Sequence, residues 1–200
     1  MFCNLQLVPR APQIPVLSEL RYRRLRSADA ALFADHLHQL DAEARRDRFN
    51  GAVSDHWLDG YIERSLRTAI IVGAFDHRRL VAVAELHKGE SSSGGEGETA
   101  FSVAADWRRR GVGTALIREL LKHAESVGLS SMLVETGSNN AAMKALARRH
   151  GAEMQFAGTR SVGRINVPSG LERAQARMTG DGVEAAVLQV AKPPKMALRF

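Results

Sequence analysis

Two glycines, three arginines and two glutamates are the residues whose types and spacing suit chemistry. Arg108-Arg109-Arg110-Gly111-Val112-Gly113-Thr114 sets two residues without a β-carbon inside a basic run. Missing β-carbons let backbone come close to a ligand. Where such a turn opens a helix, the first amides lack intrahelical partners and the helix dipole adds positive potential. That combination favours an anion such as a phosphate. The two glutamates suit a different task. Glu98 opens the run Glu98-Thr99-Ala100-Phe101-Ser102-Val103, and Glu85 lies within the apolar run Leu80-Val81-Ala82-Val83-Ala84-Glu85-Leu86. A carboxylate in a partly desolvated cleft can accept a proton, and a glutamate in an apolar strand needs a partner.

The pattern around these residues predicts the elements that hold them. Thr99, Phe101 and Val103 alternate with smaller residues, which predicts a strand. Val112, Leu116 and Leu120, joined by Ile117, Leu121 and Ala124, recur at helical spacing until Gly128 offers a stop. The glycine turn therefore joins a strand to a helix. One reading is an ordinary strand-to-helix turn. Another is a dinucleotide-binding turn, since Gly111 and Gly113 supply two of its glycines and Glu135 follows the next strand. Leu116 occupies the third glycine position, and no run of βα units follows.

Upstream, residues 1–20 contain Pro9, Pro12 and Pro15 and predict an extended arm. Arg21 to Arg26 predict a first strand with solvated arginines. Ser27 is placed as the cap of a helix through Leu40, and Asp41 as the cap of a second helix ending near Phe49-Asn50-Gly51. A third helix is expected from Ser54 to Arg64. Thr68–Phe75 and Leu80–Leu86 read as a hairpin turning at 76–79. Residues 89–97 form a Gly/Ser-rich loop by composition. Ser131–Glu135 predicts a strand parallel to its predecessor across the helix. Asn140 opens a helix through Arg149, with Gly151 beyond it. Later signals are a strand over 162–167, a helix over 171–178 and an ambiguous element over 183–190. This order implies a mixed α/β sheet with helices on both faces.

Composition sets outer bounds. With 200 residues, 44% hydrophobic and 25% charged, the chain suits one globular domain, or one domain plus a tail. Cys3 is the only cysteine, which excludes an internal disulfide and a cysteine-cluster metal site. A net charge of +6 and a pI near 10.1 permit phosphate-bearing partners. Nucleic acid is disfavoured because the arginine run at 21–26 carries only Tyr22 for base stacking. His36 and His38 fall on different helix faces and make poor joint metal ligands. No long apolar run or secretory signal is read, so cytoplasm is the default.

Arg108-x-x-Gly111-x-Gly113, between a strand and a long helix, resembles the acyl-CoA pyrophosphate loop of the GCN5-related N-acetyltransferases (GNAT). Asn140-Ala141-Ala142-Met143-Lys144-Ala145-Leu146-Ala147-Arg148-Arg149-His150-Gly151 resembles that family's second conserved segment, in which an Asn opens a helix near the acyl-CoA arm. Leu40 to Arg45 with Arg48-Phe49, and Glu98 to Val103, resemble segments of bacterial domains related to protein-lysine acetyltransferases. The likeness spans 21–153.

The resemblance implies a mostly antiparallel sheet with a central splayed parallel pair over residues 21–167, and leaves 168–200 as an extension or last elements. It implies acetyl-CoA as cosubstrate, no metal, and a primary amine as acceptor, either protein lysine or a small molecule. The amine would attack directly within a ternary complex. Glu98 matches a proposed general base, with Glu85 the second candidate. Arg108, Arg109, Arg110, Gly111, Val112, Gly113 and Thr114 would bind the pyrophosphate, backbone groups of Phe101 and Val103 the pantetheine arm, and Asn140 would lie beside it. One position departs: Ala147 stands where many relatives carry a Tyr that protonates the leaving thiolate. That departure keeps a non-catalytic CoA-binding regulatory module as the alternative. The C-terminal part leaves homodimerisation open, and no membrane partner is expected.

Overall fold

The computed structural model describes residues 19–89 and 95–169. Residues 1–18 of the arm, most of the 89–97 loop, and the elements expected over 171–178 and 183–190 lie outside those residues.

Twelve principal elements follow in order: β1 (Arg21–Arg24), α1 (Ala30–His38), α2 (Ala42–Phe49), α3 (Asp55–Thr68), β2 (Ile70–Asp76), β3 (Arg79–Lys88), β4 (Glu96–Val103), α4 (Val112–Ser126), β5 (Ser131–Gly137), α5 (Ala141–Arg149), β6 (Gln155–Ala157) and β7 (Arg160–Asn166). The strands form one sheet in the order β1-β2-β3-β4-β5-β7-β6. All neighbours are antiparallel except β4 and β5.

Local chemistry explains most boundaries. The Asp41 carboxylate accepts from the Ala44 amide at 2.8 Å and starts α2, which Asn50 ends in the left-handed region at φ 53°. Ser54 Oγ accepts from the Trp57 amide and starts α3, which runs four residues past the expected Arg64 to Thr68. The Ser27 cap is corrected. Residues 27–29 form a short 3₁₀ turn, and α1 begins at Ala30. Asp29 governs that turn by accepting from the Arg26 amide and from both Arg23 guanidinium nitrogens. The strand expected at 162–167 is β7, beginning at Arg160. Its hairpin partner β6 is fully exposed and too short to leave a periodic signal.

The core lies on both faces of the sheet. On one, Leu116, Ile117, Leu120 and Ala124 of α4 pack with Val72, Ala84, Met132, Val134 and Ile165. On the other, Phe33 and Leu37 of α1 and Leu58 and Ile62 of α3 pack with Ile71, Phe75 and Val83. Covering both faces explains why β2 and β3 read as continuous apolar runs.

Candidate active site

The parallel pair sets the geometry. β4 and β5 are in register from Glu96↔Ser131 to Thr99↔Val134 and then separate. β4 remains paired with β3 as far as Val103↔Ala82, and β5 with β7 as far as Gly137↔Arg160. A cleft therefore opens between their C-terminal ends. The Ala104 amide donates to Val81 at 2.9 Å, towards β3. Alternation along the strand turns the backbone groups of Phe101 and Val103 to the opposite edge, facing the cleft.

The glycine turn stands at the end of β4. Gly111 takes φ 82° at the start of α4, a conformation in which a β-carbon would be strained. No side chain caps α4, so the amides of Val112, Gly113 and Thr114 face outward without an intrahelical acceptor. Gly113 has a packing role as well. A β-carbon there would meet Leu146 Cδ2 of α5 at 2.9 Å.

The three arginines divide. Arg108 is held by the protein: its Nε donates to the Val103 carbonyl at 3.1 Å and its Nη2 to Asp41 at 2.6 Å. This occupies the Val103 carbonyl, while the Val103 amide still faces the cleft. Arg110 lies over the Trp107 ring at 5.3 Å. Arg109 is exposed, with φ 58°. Asn140 caps α5, its side-chain oxygen accepting from Met143 at 2.9 Å. Ala147 is fully buried in the α4-side core and offers no hydroxyl.

The opposite face of the sheet is built from side chains. Glu85 is 1% exposed and is surrounded by donors. Arg48 of α2 pairs with its Oε1, Tyr61 of α3 donates to its Oε2 at 2.6 Å, and His87 Nε2 lies 3.2 Å from Oε2. Arg48 also donates to the Tyr61 hydroxyl at 2.5 Å. Burial alone would raise the Glu85 pKa. The Arg48 cation and the hydrogen bonds outweigh it and hold the carboxyl down to about 2. Burial, then the Glu85 charge, pushes the Tyr61 hydroxyl well above its usual range. Glu85 is thus a fixed anion facing its partners. Glu98 is exposed and sits directly across from His87 in the β3–β4 register. Phe49, Trp57 and Tyr61 form an aromatic wall beside this cluster, with ring centroids 5.3–5.4 Å apart. Tyr61 and His87 are not among the residues singled out in the sequence. The signal that could have found them was the need of Glu85 for partners.

Comparison with known proteins places the chain in a class. The model of the acetyltransferase (GNAT) family matches residues 34–152, and the chain belongs to that family. No curated protein matches the sequence. The GNAT domain of S. lividans PAT is 18% identical, with a TM-score of 0.66 over 74% of this chain and 90% of that one. The ribosomal-protein-S18-alanine N-acetyltransferase from Escherichia coli is 15% identical, with a TM-score of 0.58 over 74% of this chain and 94% of its own. YncA from Salmonella typhimurium, solved with its cofactor acetyl-CoA, is 16% identical, with a TM-score of 0.58 over 75% and 95%. These likenesses establish the shared fold, a mostly antiparallel sheet with one parallel pair. Among the described residues no helix is long and apolar enough to cross a membrane, and no group of three or more His, Cys, Asp or Glu is placed to hold a metal.

Proposed function

We propose that this protein transfers an acetyl group from acetyl-CoA to a primary amine. The observation that carries the reading is the junction of the splayed β4–β5 edge with the uncapped start of α4. Backbone groups of Phe101 and Val103 suit the amide-rich pantetheine arm. The amides of Val112, Gly113 and Thr114 suit the pyrophosphate, with Arg109 adding charge. Acetyl-CoA supplies the activated acyl group. The chain supplies position and proton acceptance, with Glu98 on the α1–α3 face of β4 as general base. Glu85, buried and already ion-paired, is assigned to organising that face. The acceptor is a primary amine on a protein lysine or a small molecule. Likeness to the PAT domain and resemblance to protein-lysine acetyltransferase segments favour lysine.

Calorimetric titration with acetyl-CoA, followed by an amine and lysine-peptide screen, tests the reading. Gly113→Val should block backbone approach and sharply weaken acetyl-CoA binding. Because Leu146 lies against Gly113, the variant should be made with Leu146→Ala as well, which leaves room for the new side chain. Unchanged affinity in the folded double variant, beside a normal Leu146→Ala control, would reject the loop. Absence of acetyl transfer to every amine, with acetyl-CoA still bound, would favour the regulatory-module alternative.

A further inference from the structure

We propose that His87 is a proton relay for Glu98, receiving on Nδ1 the proton that Glu98 takes from the acceptor ammonium and passing it to solvent. The inference rests on the acetyltransferase reading and adds a residue to its chemistry.

The relay follows from a buried arrangement. Glu85 Oε2 accepts from Tyr61 and faces His87 Nε2, which also lies 3.4 Å from the Tyr61 hydroxyl. An ionised carboxylate can only accept, so the ring must present Nε2–H towards it. In the neutral ring the proton is then fixed on Nε2, and Nδ1 carries the lone pair. Arg48 completes the arrangement by holding both Glu85 and the Tyr61 oxygen. Glu85, Tyr61 and Arg48 together aim one basic nitrogen away from the core.

That nitrogen belongs to a partly exposed side chain. His87 is 28% exposed, whereas Glu85 is 1% exposed. The neighbour across the ladder is Glu98, on the same face and opposite His87. Directly opposed residues in an antiparallel pair have β-carbons about 4.5–5.5 Å apart, within reach of two long polar side chains. The charged and titratable groups around the ring are Glu85 on β3 and Tyr61 on α3, which contact it, Glu98, its register partner on β4, and Arg48 on α2, which holds Glu85 and Tyr61.

The step balances. The ammonium N–H bond breaks and the proton goes to the Glu98 carboxylate, leaving the nitrogen lone pair free to attack. The same proton then moves to His87 Nδ1, giving an imidazolium that the Glu85 anion stabilises, and leaves to water. Glu98 is regenerated as a carboxylate. No oxidant, reductant or further reactant is needed.

Two measurements on the full chain test this. Long-range ¹H–¹⁵N spectra of the ligand-free protein should show neutral His87 protonated on Nε2. Neutral His87 protonated on Nδ1 would overturn the relay. Acetyl transfer should also be followed against pH with n-butylamine, glycinamide and a lysine-containing peptide, so that titration of the amine itself is distinguished. His87→Gln keeps an N–H for Glu85 but carries no exchangeable base. Its turnover at neutral pH should fall by roughly 10²-fold, the lower end of acid–base effects, with an altered acid limb and unchanged KM for acetyl-CoA. A His87→Gln profile superimposable on the parent removes the relay and leaves the acetyltransferase reading standing. A parent that acetylates none of the three amines removes both.

Discussion

The two faces of the sheet offer the two proposed substrates different kinds of group. On the α4–α5 face, the groups proposed for acyl-CoA are backbone: the cleft-facing edge of Phe101 and Val103 and the first amides of α4. On the α1–α3 face, the groups proposed to meet an amine are side chains, drawn from α2, α3, β3 and β4. A backbone site requires glycine at particular positions and is compact in sequence. A side-chain site requires only that sheet register and helix packing converge, so its members lie anywhere from 48 to 98. The first face tolerates change wherever the main chain is kept; the second depends on the identity of each residue.

The largest effect expected on that contrast comes from Glu98→Gln. It keeps the size and most hydrogen-bonding capacity of Glu98 while removing its basicity. Turnover should fall by roughly 10²–10⁴-fold, the range for losing a general base, while acetyl-CoA affinity stays near that of the parent. Normal turnover across pH would remove Glu98 from the chemistry. A parallel loss of acetyl-CoA affinity would show that the two faces are not separable.

Arg48→Met tests the same face through stability. It leaves the buried Glu85 carboxylate without its cation, a change that typically costs about 3–5 kcal/mol. Urea unfolding should show it. In the parent, the depressed Glu85 pKa means that its contribution is complete above the unfolded value of 4.5 and is lost as pH falls towards about 2. The variant should lose this dependence and become relatively less unstable in acid. A loss below about 1 kcal/mol at pH 7 would mean that Glu85 finds other compensation.

The same contrast explains what could be read from sequence. Gly111, Gly113 and the periodicity of α4 announced the turn and helix proposed for acyl-CoA, because main-chain recognition leaves a short pattern. The Asp41 cap and the helix starts at Ser54 and Asn140 were legible because capping acts within three residues. Glu85 was legible as a residue needing partners, but not which ones. Arg48 and Tyr61 reach it from helices set by tertiary packing, and His87 by strand alternation two residues on. Arg108 drew attention as a phosphate ligand, yet its guanidinium holds Val103 and Asp41. Sequence shows that an arginine is near a turn but not where its long side chain goes. β6 left no signal because none of its three residues is buried.

A smaller effect concerns the α1 buttress of β4. His36 is buried against Ser102 at 2.9 Å. Burial, opposed by nearby hydrogen bonds and the Glu85 charge, lowers its pKa to about 4. The neutral form is favoured in the folded chain, so between 6.5 and about 4 the unfolded chain binds more protons and stability falls as pH falls. From pH 7 to pH 5 this amounts to about 2 kcal/mol. His36→Gln should flatten that part of the curve in urea unfolding. An unchanged slope would place the acid sensitivity elsewhere.

The smallest effect expected lies where the two faces meet. Asp41 caps α2 through the Ala44 amide and reaches Arg108 at the glycine turn. The Ala44 amide, then the Arg108 hydrogen bond, holds its carboxyl below the usual range. Asp41→Ala removes the cap and the ion pair; losing such a cap costs about 1 kcal/mol. Asp41→Asn keeps an acceptor for Ala44 and removes only the charge. The Asp41–Arg108 pair is 38–46% exposed, and exposed pairs contribute about 0–1 kcal/mol. Asp41→Asn should therefore change stability by less than about 1 kcal/mol and acetyl-CoA affinity by at most roughly fivefold. Arg108 Nε still holds the Val103 carbonyl in that variant, so the cleft edge of β4 stays in place. A much larger loss of acetyl-CoA affinity in Asp41→Asn, at unchanged stability, would show that the acceptor-side helix communicates with the glycine turn through Arg108. The two faces would then work as one site.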